Sequence, residues 1–69
     1  MQLGEVYRVQ LNVPASWVDH KEKRMGEGKV VFVHPNKRFA TLEFKGVHGK
    51  FRESFRSDQL TENNRMRGQ

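Results

Sequence analysis

Residues 29–55, which read KVVFVHPNKRFATLEFKGVHGKFRESF, decide the fold of this chain. Apolar side chains recur in this stretch with a period near two, which is typical of strands and not of helices. A Pro-Asn pair at residues 35–36 and glycines at residues 46 and 49 interrupt the pattern, and both places have the composition of tight turns. The stretch therefore predicts three strands, at residues 29–34, 38–45 and 50–55, joined as an antiparallel meander.

The segments on either side of the meander complete one small domain. Alternating apolar residues predict a first strand over residues 4–12. Ser57 is a candidate cap of a short helical turn, with Leu60 beneath the barrel as a plug. Residues 61–69 contain only Met66 as a large apolar side chain, so we expect a flexible tail there. The predicted organisation is a single domain over residues 1–60 followed by this tail.

The connection between the first two predicted strands, from Asn12 to Gly28, is long for so small a domain. It carries Trp17, the one tryptophan of the chain. Tryptophan is common in binding hot spots, and it also serves as a lid over a small core. Trp17 is therefore a candidate protein-interaction residue, and the lid is the alternative.

Length and composition restrict the class of protein. The chain has 69 residues, a formal net charge of +5, 35% hydrophobic residues and no cysteine. This length allows one core, and the absence of cysteine excludes disulfides and thiolate metal sites. No apolar run approaches the roughly 20 residues of a membrane span, and the first residues do not resemble a signal peptide. We expect a soluble, cytoplasmic domain.

The order of the predicted elements is that of a small barrel. A long first loop, a three-stranded meander and a late helical turn resemble the order of elements in an SH3-like barrel, where a last short strand follows the turn, so we expect a five-stranded barrel of that kind. An OB-like barrel is the alternative, although that fold usually has a helix between its third and fourth strands. The loop at residues 46–49 is too short to hold one.

The positive charge is concentrated in the meander. Residues 35–69 hold eight basic and four acidic side chains, and most of the excess lies between residues 37 and 56. Such a cluster attracts polyanions, although basic residues also keep strand edges soluble. The candidate nucleic-acid contacts are Lys37, Arg38, Lys45, Lys50, Arg52 and Arg56, with the aromatic Phe39 among them.

Phe39 lies on the strand face opposite Ala40, Leu42 and Phe44. An aromatic ring between cations is a unit that binds single-stranded nucleic acid, because a base stacks on the ring while the cation holds a phosphate. The alternative is that Phe39 packs on Val31 and Val33 in a strongly coiled strand.

Two family resemblances accompany these motifs. The segment Gly28-Lys29-Val30-Val31-Phe32, followed by residues 37–43, resembles the opening of a cold-shock domain, with Thr41 standing where that family has its second stacking aromatic. Residues 28–55 as a whole, including Arg52-Glu53-Ser54-Phe55, resemble small uncharacterised SH3-like proteins of phages and mobile elements. The first likeness implies nucleic-acid binding, and the second implies an origin in a phage or mobile element.

The residues give little support to catalysis. His20, His34 and His48 have no carboxylate or cysteine partner at metal-ligand spacing, and there is no glycine-rich phosphate loop. We therefore predict a non-enzymatic protein, without metal or cofactor, that binds DNA or RNA weakly or without sequence specificity. The alternative is a protein-interaction module that acts as an adaptor or inhibitor of a host protein. The small core is compatible with a monomer or a homodimer.

Overall fold

The computed structural model describes residues 1–13 and 25–66. Its strands are β1 (Val6–Gln10), β2 (Met25–Val33), β3 (Phe39–Gly46) and β4 (Gly49–Arg56), and a 3₁₀ turn over Ser57–Gln59 follows them. The strands pair antiparallel in chain order, which confirms the all-β class and the meander. No helix within the described ranges is long and apolar enough to cross a membrane.

The described strands form an open sheet. β1 and β4 are its two edges, so the predicted closed barrel of five strands is not formed by residues 1–13 and 25–66. The nearest feature to a fifth strand is a single antiparallel bridge between Tyr7 and Arg65. The segment around Arg65 offers only Met66 as a large apolar side chain, so it has little surface to bury in a longer ladder.

Residues 61–66 are the described part of the segment that the sequence predicts as a flexible tail, and residues 64–66 lie against β1. The backbone N–H of Arg8 donates to the carbonyl of Asn64 at 2.8 Å, and the N–H of Met66 donates to the carbonyl of Val6 at 2.8 Å. These two bonds cover part of the β1 edge. Residues 67–69, with Arg67, lie outside the described residues.

One face of the sheet carries the core. Leu60 is buried there beside the strand residues, as the sequence predicts. Gly26 and Gly28 make room for the ring of Phe44, because a Cβ at Gly28 would lie 2.5 Å from Phe44 Cε2. The buried residues are Tyr7, Val9, Leu11, Val30, Ala40, Leu42, Phe44, Phe55 and Leu60.

The pairing of β2 with β3 is interrupted by a β-bulge. Val30 pairs with Leu42, but the next pair is Phe32 with Thr41, so Val31 is the extra residue. A bulge reverses the alternation of side chains beyond it. As a result Val33 pairs with the buried Ala40, and Phe32 is on the opposite side of the sheet from the core.

Both turns of the meander lie where the sequence places them. In the β2–β3 turn, the N–H of Lys37 donates to the carbonyl of His34 at 2.7 Å, and Lys37 has a φ of 56°. The residue with a left-handed backbone conformation is therefore Lys37, although the side chain of Asn36 is better suited to that conformation. In the β3–β4 turn Gly46 pairs with Gly49, whose φ is 117°.

Candidate nucleic-acid interface

The face of the sheet opposite the core, here called the outer face, carries the polar residues of β3 and β4. Two cross-strand contacts fix this assignment: the hydroxyls of Thr41 and Ser54 are 2.8 Å apart, and Arg52 Nε donates to Glu43 Oε2 at 3.2 Å. The alternation therefore follows the sequence prediction. The outer-face residues of the two strands are Phe39, Thr41, Glu43 and Lys45 in β3, with Lys50, Arg52, Ser54 and Arg56 in β4.

Lys45 and Lys50 are direct cross-strand partners at the hairpin end of the outer face. Both side chains are exposed, and neither forms an ion pair with any residue in the described ranges. Like charges directly opposite each other destabilise an antiparallel pair. The hairpin therefore places two lysines directly opposite each other, without a carboxylate partner among the described residues, at some cost in stability.

Arg52 and Arg56 continue the positive row along β4. Each is paired with one carboxylate at 3.2 Å, Arg52 with Glu43 and Arg56 with Asp58. The arginine side chains are 64% and 75% exposed, respectively. Ion pairs this exposed contribute about 0–1 kcal/mol, so an incoming phosphate can compete with either carboxylate.

Lys37 and Arg38 lie in the β2–β3 turn, at the end of β3 opposite Lys45. Both side chains are exposed. The carbonyl of Arg38 accepts a hydrogen bond of 2.8 Å from the N–H of Ser57, which links the β2–β3 turn to the 3₁₀ turn after β4. Six residues separate Phe39 from Lys45, which is about 20 Å along a strand. The predicted cations therefore form two groups, one at each end of the outer face.

Phe39 belongs to an aromatic group that the sequence does not reveal. Its ring centroid is 4.9 Å from that of His34 and 6.0 Å from that of Phe32. Both contacts are with other aromatic rings, and the alternative from the sequence, packing of Phe39 on Val31 and Val33, stays a prediction. Regular alternation would have placed Phe32 with Val30 in the core, so only the bulge explains its position on the outer face.

A polar cluster, which the sequence does not reveal either, joins the first residues of the chain to the last described ones. Glu5 accepts hydrogen bonds from the N–H of Gln2 at 2.8 Å, from the Tyr7 hydroxyl at 3.0 Å and from Arg65 Nη1 at 2.9 Å. Arg65 also pairs with Glu62, its Nη2 lying 3.2 Å from Oε2. Arg65 is thus engaged in holding the fold together and not presented to a ligand.

The electrostatics of this cluster follow from burial and hydrogen bonding. Burial raises the pKa of the Glu5 carboxyl, but the hydrogen bonds that it accepts outweigh burial and leave its pKa below the ordinary 4.5. Burial and then the hydrogen bond to Glu5 raise the pKa of Tyr7 to about 12. The cluster therefore holds Glu5 as a carboxylate and Tyr7 as a neutral phenol.

The carboxylate of β4, Glu53, faces inward. Glu53 accepts hydrogen bonds from Asn12, at 3.2 Å from its backbone N–H and 2.7 Å from its side-chain amide. These bonds join β4 to the segment that follows β1, so they link the two edges of the sheet. Glu53 therefore does not neutralise the outer face, whereas Glu43 pairs with Arg52 across the hairpin.

The remaining candidates from the sequence lie elsewhere. Trp17 and His20 belong to residues 14–24, outside the described ranges. His34 accepts a hydrogen bond at Nδ1 from the N–H of Asn36, 3.1 Å away, and His48 is in the hairpin turn. Within residues 1–13 and 25–66 no three His, Asp or Glu side chains are grouped to hold a metal ion.

Comparison of the chain with protein-family models, with curated proteins and with solved structures found no match. The resemblances to cold-shock domains and to small proteins of mobile elements therefore stay predictions.

Proposed function

We propose that the protein binds nucleic acid through the outer face of its sheet, by contacts to the phosphate backbone and without a catalytic step. The observation that carries this proposal is the cross-strand pair of Lys45 and Lys50. Two lysines held side by side without a carboxylate from the described residues are a ready site for a polyanion. An acidic ligand would remove the repulsion that the hairpin bears when it is free.

The row along β4 supports a polymeric anion over a small one. Lys50, Arg52 and Arg56 alternate with inward-facing residues, so neighbouring positions on this face are about 6.8 Å apart along the strand. Only a ligand with anionic groups repeated along its length can contact Lys50 and Arg56 together. Lys37 and Arg38 extend the positive region beyond the end of the strands.

We also propose that the chain has an SH3-like arrangement in which residues 64–66 are a reduced fifth strand. The order of the elements supports this view, since a meander and a 3₁₀ turn precede a segment that returns to β1. In such an arrangement the outer faces of β3 and β4 stay open to solvent and to ligands.

The test is the salt dependence of binding to labelled single-stranded and duplex oligonucleotides, measured by fluorescence anisotropy. Four phosphate contacts, from Lys45, Lys50, Arg52 and Arg56, predict a slope of log affinity against log salt of about −3.6 for duplex and about −2.8 for a single strand. Lys50→Ala should reduce the magnitude of that slope by about the share of one phosphate contact, whereas Lys50→Arg should keep the slope of the unmodified protein.

A matched control is Arg8→Ala, which removes the same charge from β1, three strands away in the sheet order and opposite Glu27. Arg8→Ala should leave the slope near that of the unmodified protein. A flat salt response, or equal losses from Arg8→Ala and Lys50→Ala, would remove the case for the outer face.

A further inference from the structure

The β-bulge at Val31 places a large apolar ring on a polar surface. Phe32 pairs with Thr41 on the outer face and is 47% exposed. Without the bulge, the same residue would share a face with Val30 and enter the core. Bulges commonly redirect a side chain next to a functional site.

The redirected ring joins two others at one end of the outer face. Phe32, His34 and Phe39 form what we call the aromatic shelf, with ring planes inclined at 40° between Phe32 and Phe39 and at 38° between His34 and Phe39. The cross-strand partner of Phe39 is Arg56, and the turn that carries Lys37 and Arg38 adjoins the shelf. One exposed ring, Phe32, and two half-buried rings therefore lie next to the strand position of an arginine.

We infer that the aromatic shelf stacks unpaired bases, and that the ligand of the outer face is therefore a single strand of DNA or RNA. This inference rests on the proposed function and adds the class of nucleic acid to it. A base stacked on a ring while its phosphate meets a cation is the arrangement that binds single strands without regard to sequence. The base faces of a duplex are covered by their neighbours, so a duplex can use the cations but not the shelf.

The distance between the shelf and the Lys45–Lys50 pair gives the length of the site. About 20 Å of strand separates Phe39 from Lys45, and a stacked single strand rises about 3.4 Å per nucleotide. A strand of about six nucleotides reaches from the shelf to both lysines. Between them, the outer face presents the Thr41 and Ser54 hydroxyls and the ion pair of Arg52 with Glu43.

The experiment compares Phe32→Ala with the unmodified protein on single-stranded and duplex oligonucleotides of equal length. Loss of one stacked base should weaken single-strand binding about tenfold, at an unchanged salt slope and with duplex binding within about twofold. Phe32→Tyr keeps a ring and should bind like the unmodified protein. Val47→Ala, which truncates another exposed apolar side chain in the hairpin turn, is the matched control and should have no effect.

Two further measurements keep the outcomes distinct. Thermal unfolding of each variant checks the fold, and Phe32→Leu, which keeps apolar volume but no ring, should weaken single-strand binding as Phe32→Ala does. Equal single-strand affinity for Phe32→Ala, Phe32→Leu and the unmodified protein would overturn the shelf while leaving the proposed function intact. Failure of the unmodified protein to bind any oligonucleotide would overturn both.

Discussion

Lys50→Glu should make the protein more stable and a weaker binder at the same time. The substitution replaces a like-charged cross-strand pair with an opposite-charged one opposite Lys45. Cross-strand pairs on exposed positions are worth about 0.2–1 kcal/mol, so we expect a gain of about 0.5 kcal/mol in the free energy of unfolding. For a domain of this size that is a rise of about 2–4 °C in Tm. The gain should disappear at high salt, because the charges are exposed.

Binding should change in the opposite direction. With four phosphate contacts, duplex affinity falls about 150-fold between 50 and 200 mM salt, and with three contacts it falls about 40-fold. Lys50→Glu should therefore show the shallower dependence, together with a lower affinity at low salt than Lys50→Ala, because the new carboxylate repels phosphate. Anisotropy titrations at several salt concentrations, with thermal unfolding in the same buffers, measure both quantities.

Arg8→Glu is the matched control for Lys50→Glu. It changes the net charge by the same amount, but it faces Glu27 across β1 and β2 and so creates a like-charged pair. We expect a lower Tm, where Lys50→Glu raises it, and nearly unchanged binding, where Lys50→Glu weakens it. If Lys50→Glu lowered the Tm, or if the two variants weakened binding equally, the reasoning from the Lys45–Lys50 pair would be refuted.

Three further predictions concern the fold. Gly28→Ala should destabilise the protein by about 1–3 kcal/mol, because its Cβ would lie 2.5 and 2.6 Å from ring carbons of the buried Phe44; an unchanged Tm in thermal unfolding would contradict this. The single tyrosine, Tyr7, should ionise near pH 12 in an absorbance titration of the folded protein, so its contribution to stability is complete below pH 10 and lost as the pH rises through 12. A midpoint near 10 would show that the phenol is not buried against Glu5. Because the pKa of Glu5 is lowered by folding, its contribution is present above pH 4.5 and lost as the pH falls through the folded value. Between neutral pH and a pH below 4.5, the Tm of Glu5→Gln should therefore fall less than the Tm of the unmodified protein. An equally large fall in the two proteins would count against the role of this carboxylate.

Much of the sheet is predictable from local pattern. The strands of the meander, the hairpin at residues 46–49 and the burial of Leu60 follow from alternation and turn composition. The start of β2 does not, because Met25–Gly28 contains two glycines and no strand pattern of its own. Those glycines are accommodated in the sheet because Leu11 and Phe44 fill the space beside them.

The candidate site is likewise predictable only in part. Alternation alone puts Lys45, Lys50 and Arg52 on one face, because successive side chains of a strand point to opposite sides. It cannot show that Lys45 faces Lys50 directly, since that depends on the register across the hairpin. It also misassigns Phe32, because a bulge is a property of two paired strands and not of one.

Apart from the start of β2, the sequence by itself determined which residues form strands and, within β3 and β4, which side chains share a face with the core. The tertiary structure alone decided the bulge at Val31, the return of residues 64–66 to β1 and the meeting of Glu5, Tyr7 and Arg65. The physical reason is the separation along the chain of the residues that set each feature. Alternation is set by the geometry of a single strand, whereas register and long-range pairing depend on how distant side chains fill one common core.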